Sequence, residues 1–350
     1  MCAHDRDADD RAADDASRRR AALVGTTNDL GDGITQIRLP MTGSPLGYVN
    51  GYLVEDEDGY TLIDCGWKAD DVFEALQAGL STAGVKLSQI RRLAVTHFHY
   101  DHYGLAGTLM RAGVPALLMH SKDWIVADTI FADPAAAERG ADAWIARNGY
   151  DYEGDGDADY HRMNERAVPT HFVRDGERVG RLRAIWTPGH SPGHLCFFDH
   201  VSNKLFTGDH ILDPITPHVG IWRQMLGDPM GDYVDSLEKC ATITTSGALP
   251  AHGEPFSDLP RRLRELLAHQ SQRQAQVQRR LADGTVMAAD VARELGWTRR
   301  DRAFEELSTT HQQFAVAETL AFLQHLRARG GVVQRLVDDR IYYERTNLVE

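Results

Sequence analysis

The apolar run RRLAVTH at residues 91–97 ends directly on His97-x-His99-x-Asp101-His102, and this junction constrains the chain more than any other stretch of its sequence. Side chains two apart on an extended strand project to the same side. His97 and His99 are therefore expected to face one cavity, with Asp101 and His102 following as the chain turns. Four ligand-type side chains gather where a buried strand gives way to a loop, and such a site needs a rigid sheet beneath it. Imidazole and carboxylate suit zinc, and iron and manganese accept the same donors.

The flanking sequence supplies that sheet. ITQIRLP, GYVNGYLVED and YTLIDCG, over residues 34–66, read as short strands between Gly, Pro or acidic turns. DDVFEALQAGLSTAG has apolar residues at helical spacing and leads into the histidine-bearing strand. Residues 121–167 read as a helical insertion, KDWIVADTIF and AAAERGADAWIARNG followed by the loop YEGDGDADY. Strands resume at HFVRDG, RLRAIWTPGH, HLCFFDH and KLFTGDH. Beyond Pro255 the pattern turns helical and closes on VVQRLVDDRIYYER, two strands around an Asp-Asp turn. Helices followed by a hairpin predict a winged-helix-like unit over residues 261–350.

A length of 350 residues accommodates one large domain and a smaller one. Residues 1–23, dominated by Asp, Ala and Arg, predict a disordered tail and lack the apolar centre of a secretory signal. No apolar run approaches the roughly 18 residues of a membrane span. Cys2, Cys65, Cys196 and Cys240 form no CxxC pair, which predicts reduced thiols and a cytoplasmic protein. The formal charge of -13 divides into -16 over residues 1–260 and +3 over residues 261–350. That acidity opposes general attraction to nucleic acid or anionic membranes. A homo-oligomer is compatible with all of this.

Three later motifs, TPGH190, FTGD209 and LPAH252, each place a ligand-type residue near glycine after an apolar segment. The ordered set resembles the metallo-beta-lactamase superfamily over residues 24–260, and in particular its two-metal hydrolases of the glyoxalase II and lactonase type. The resemblance implies an α+β fold, an αββα sandwich carrying the winged-helix-like unit at its C-terminus. It implies that His97, His99 and His190 hold one metal, that Asp101, His102 and His252 hold a second, and that Asp209 bridges them, with Asp101 and Asp209 catalytic and two zinc ions as cofactors. Zinc beta-lactamases often use a cysteine ligand; none of the four cysteines here falls in a ligand motif, so antibiotic hydrolysis is not the leading expectation. Asp64 in TLIDCG matches a family position that supports the metal loop, although a turn-forming aspartate fits equally. His210 reads either as an orienter of Asp209 or as a surface residue, and Tyr100, Tyr103, His218, Trp222 and Arg223 either line the substrate pocket or pack.

Two such metals lower the pKa of bound water toward about 7 and polarise a carbonyl oxygen. The expected reaction is attack by a bridging hydroxide on an activated acyl substrate: a thioester, ester or lactone. A thiol of pKa near about 8.5 leaves without a strong acid, and the basic C-terminal unit suits a substrate linked to coenzyme A or an acyl carrier protein. The rival expectation is a metal-dependent endoribonuclease, because a C-terminal winged helix on such a domain resembles the beta-lactamase-like protein 2 group. A third is a nucleic-acid-binding regulator acting through that unit.

Overall fold

The computed structural model describes residues 22–151, 165–221, 227–282, 284–297 and 302–346. Residues 1–21 of the tail, the YEGDGDADY loop, Trp222 and Arg223 lie outside them.

Fourteen strands form three sheets among these residues. The first takes β1 (Thr27–Asp29), β2 (Ile34–Met41), β3 (Gly47–Asp56), β4 (Gly59–Ile63), β5 (Ile90–Ala94), β6 (Leu117–Met119) and β7 (His171–Phe172) in that order. Its first four strands are antiparallel, and β4 to β7 are parallel. The second runs β12-β11-β10-β9-β8, from β8 (Arg178–Val179), β9 (Leu182–Trp186), β10 (Leu195–Asp199), β11 (Lys204–Gly208) and β12 (Gly247–Pro250). The third pairs β13 (Val332–Val337) with β14 (Arg340–Arg345).

Helices cross between and cover these strands: α1 (Asp70–Thr82), α2 (Tyr100–Tyr103), α3 (Ala106–Arg111), α4 (Ser121–Ala132), α5 (Pro134–Arg147), α6 (Pro229–Ala241), α7 (Leu259–Leu281), α8 (Ala288–Arg293) and α9 (Thr309–Ala328). None of them is long and apolar enough to cross a membrane.

Strand alternation explains the layering. In β10, Leu195 and Phe197 point into the interface between the two large sheets, where Tyr52, Val54, Ile63 and Phe206 meet them. Cys196 and Phe198 point the other way, toward α6 and the C-terminal helices. In β3, Val49 and Leu53 face α1 while Tyr52 and Val54 face inward. A strand buried on both faces reads as a continuous apolar run, which is why LCFFD shows no polar alternation. The result is the αββα sandwich, with helices outside and two sheets inside.

The C-terminal helices do not stand on a core of their own. Leu263, Leu266, Val316, Leu320 and Phe322 share one apolar cluster with Ile185, Cys196 and Phe198 of the second sheet. The helices and the hairpin fall where the sequence places them, and Val286 pairs with Tyr343 as an added bridge beside β14.

Candidate metal centre

Each donor motif follows the C-terminal end of a strand. His97 to His102 follow β5, Asp64 follows β4, His190 follows β9, Asp209 follows β11 and His252 follows β12. Strands β9 and β11 both run antiparallel to β10, and β12 runs parallel to β11, so their ends emerge at one edge of the second sheet. The two sheets are tied beside the site by the Leu195 N–H, which donates to the Thr96 carbonyl at 2.8 Å.

All seven sequence-assigned donors meet there. His97 Nε2, His99 Nδ1 and His190 Nε2 form a triangle with edges of 2.9, 3.1 and 3.2 Å. In a tetrahedral zinc site with bonds of about 2.0–2.1 Å, donors stand roughly 3.3 Å apart, so this triangle has the size of one tetrahedral face. His252 Nε2 lies 3.2 Å from Asp101 Oδ2, and His102 Nε2 lies 3.5 Å from the same oxygen. Asp209 stands between the two groups: Oδ2 is 3.6 Å from both His102 Nε2 and His190 Nε2, and Oδ1 is 3.4 Å from His252 Nε2.

His102 Nε2 and Asp209 Oδ1 are buried without a hydrogen-bond partner. Such atoms cost about 1–3 kcal/mol each, and their convergence with five other donors fits a pair of cations. Charge divides the centre unevenly. Burial and the neighbouring imidazoles hold His97 well below its ordinary value, and burial takes His99 down to about 3. Burial also opposes a charge on His252, but the Asp209 and Asp101 carboxylates outweigh it and raise that imidazole to about 10. The same carboxylates, with Asp64, lift His102 well above the usual histidine range against its burial.

Residues 44–252 match the family model of the metallo-beta-lactamase superfamily. The chain belongs to that superfamily. A metallo-beta-lactamase family protein of Thermus thermophilus superposes with a TM-score of 0.76 at 28% identity, over 91% of this chain and all of that one. A beta-lactamase domain protein of Burkholderia ambifaria gives 0.78 at 28% identity, over 92% of this chain and 94% of its own. The probable metallo-hydrolase YqjP of Bacillus subtilis is 25% identical across 91% of this chain and 98% of its length. The lactamase-like protein adaB of Aspergillus niger is 28% identical over 65% of this chain, and the match spans only 57% of that relative.

Within this superfamily member the donors are held by a network of buried partners. Asp64 adopts φ 57°, and its carboxylate accepts from the Thr96 N–H, the Thr96 hydroxyl and His102 Nδ1, each at 2.8 Å. It therefore fixes the tautomer that leaves His102 Nε2 free as a donor. His97 Nδ1 donates to the Thr96 hydroxyl at 3.0 Å, so the same carboxylate also reaches His97. His190 Nδ1 donates to the His218 carbonyl at 2.7 Å, and His252 Nδ1 to the Tyr48 carbonyl at 3.2 Å. Replacing Asp64 by Asn is expected to lower metal affinity about 10- to 100-fold, read by competition with a chromogenic chelator; unchanged affinity would reduce Asp64 to a turn former.

Other sequence assignments need correction. Tyr103 does not line a pocket: it is fully buried, and its hydroxyl exchanges hydrogen bonds with the backbone of Ala167. His218 supports the site through its carbonyl, while its ring packs on Phe314 and donates to the Phe314 carbonyl at 3.0 Å. His210 is no surface residue but a fully buried one, packed edge-on against Tyr233. Tyr100 is half-buried and stacks on Trp67.

Two supporting residues escaped the sequence reading. His194 Nε2 accepts the Asp209 N–H at 3.2 Å while its Nδ1 donates to Thr187 Oγ1 at 2.9 Å. Gly208 makes this contact feasible, since a Cβ there would stand 2.5 Å from His194 Nε2. The spacing His190-Ser-Pro-Gly-His194 was the available signal. Asp123, on α4, had none.

Proposed function

We propose that the protein is a hydrolase that uses two metal ions, zinc in the first instance, and cleaves an activated acyl bond in a thioester, ester or lactone. The observation that carries this reading is the position of Asp209, whose Oδ2 stands 3.6 Å from His190 Nε2 in one half of the donor set and from His102 Nε2 in the other, with Oδ1 3.4 Å from His252 Nε2. A carboxylate so placed offsets the mutual repulsion of two dications. When bound, the ions would supply a water of lowered pKa and a polarised carbonyl oxygen. His194 holds Asp209 by its backbone, and Asp64 holds His102 and His97, so the donors need little reorganisation.

The leaving group is argued from what the side chains can donate. His210 is buried and held down at about 3, and His218 is held at about 4 with its Nε2–H committed to a carbonyl; burial is the main cause in both. Neither ring is a ready proton donor to a leaving group. An acyl substrate with a good leaving group, such as a thiol, makes the least demand for one. A carrier such as coenzyme A or an acyl carrier protein fits the +3 charge of residues 261–350.

The test is a panel of acyl thioesters, esters and lactones incubated with metal-reconstituted protein. Thiol release from one or more thioesters is expected. No turnover of any acyl substrate, together with metal-dependent cutting of single-stranded RNA, would replace this reading by the endoribonuclease one. Elemental analysis identifies the metal.

A further inference from the structure

Asp123 is not among the seven donors. It lies on α4, in the helical segment between β6 and β7, and is fully buried. Its Oδ2 accepts the Phe98 N–H at 3.0 Å and the Ser191 hydroxyl at 2.8 Å, and its Oδ1 accepts the Gly193 N–H. Phe98 stands between His97 and His99, and Ser191 follows His190. One carboxylate thus joins the two loops that carry the three-histidine triangle. The loop after His190 is seated closely on α4, because a Cβ on Gly193 would lie 2.6 Å from the Asp123 nitrogen. No hydrogen bond of Asp123 goes to Asp101, His102, Asp209 or His252, or to their neighbours in sequence.

We propose that Asp123 is the positioning residue of the three-histidine site and sets the affinity of that site alone. The proposal rests on the two-ion reading above. Its physical basis is the donor count: the two oxygens of the Asp123 carboxyl group accept all three hydrogen bonds, whereas an amide offers one oxygen and turns an NH2 group toward at least one N–H or O–H. A buried N–H facing another donor pushes the loops apart, and the triangle, with edges near 3 Å, loses its shape. Asp64 is different in kind, since it reaches His102 directly and His97 through Thr96.

Cobalt(II) titration of the metal-free full chain tests this, with single-site backgrounds separating the two steps. His252→Ala leaves the three-histidine site intact, and His99→Ala leaves the Asp101, His102 group intact. Asp123→Asn is expected to weaken Co2+ binding about 10- to 100-fold in the His252→Ala background and less than about twofold in the His99→Ala background. Ser191→Ala removes one donor and keeps the carboxylate. It should weaken the same site in the same direction but by less, which separates positioning from loss of the fold. Equal losses in both backgrounds, or none in the first, overturn the proposal. A wild-type chain that takes up fewer than two equivalents overturns the two-ion reading, and this inference with it.

Discussion

Replacing Asp209 by Ala is expected to abolish uptake of the second metal equivalent and to lower hydrolysis by roughly 10³-fold or more. Removing this side chain deletes the one carboxylate among the described residues that faces both donor groups, with Oδ1 toward His252 and Oδ2 toward His102 and His190. Two dications a few ångströms apart would then rely on Asp101, and on Asp64 behind His102, for protein charge, and their repulsion is strong where water is excluded. The three-histidine triangle keeps its donors, so one equivalent should remain bound. The measurements are metal content after gel filtration and the initial rate on whichever acyl substrate the wild type turns over. Two retained equivalents with near-wild-type rates would show that Asp209 does not bridge. Asp209→Asn is a milder companion: it keeps the volume and the backbone bond to His194 but loses the charge, and should fall between the two.

The donors were legible in the sequence because each sits at a strand end, next to glycine, in a short motif. Local spacing alone brings His97 and His99 to one side. What brings His190, Asp209 and His252 to them is the order of the second sheet, and only the family resemblance anticipated that. The support network was far less legible. Asp64 was half-read, since a turn aspartate and a ligand-orienting one share the same local pattern. Asp123 was invisible, because its partners lie 25 and 68 or more positions away and its helix looks like an ordinary insertion.

Burial caused most of the errors. Tyr103 and His210 look like pocket or surface residues when judged by polarity, but both are fully buried, Tyr103 with its hydroxyl bound to the Ala167 backbone and His210 packed against Tyr233. The short strands β6, β8 and β12 went unread for a different reason. Two to four residues carry no measurable period, whereas in PMGDYVDSLEKCA, unread as well, the residues Met230, Tyr233, Leu237 and Cys240 do recur at helical spacing, so α6 was readable from its sequence.

The largest pH effect should appear in metal uptake. Without metal, His252 sits at about 10 and His102 well above its ordinary value, so both are imidazolium at pH 7. A ligating imidazole is neutral, and binding at this half of the centre must expel protons, about two of them at pH 7. His97 and His99 are already neutral and release none. Affinity at the Asp101, His102, His252 group should therefore fall as pH falls, by up to about tenfold per unit for each proton displaced. Acid should strip this group before the three-histidine group.

Stability moves the opposite way in the metal-free chain. A histidine raised in the folded state contributes stability that is complete below its unfolded value near about 6.5 and is lost as pH rises through the folded value. Metal-free protein should then weaken between pH 6.5 and about 10, by an amount on the order of a few kcal/mol, because the His252 charge that pairs with Asp209 and Asp101 is titrated away. Zinc-loaded protein should show no such loss. Calorimetric titration in two buffers of different ionisation enthalpy reads the protons, and thermal melts with and without chelator read the stability. No proton release on binding, or a metal-free melting temperature that climbs from pH 7 to 9, would remove the charged His102 and His252 pair from the account.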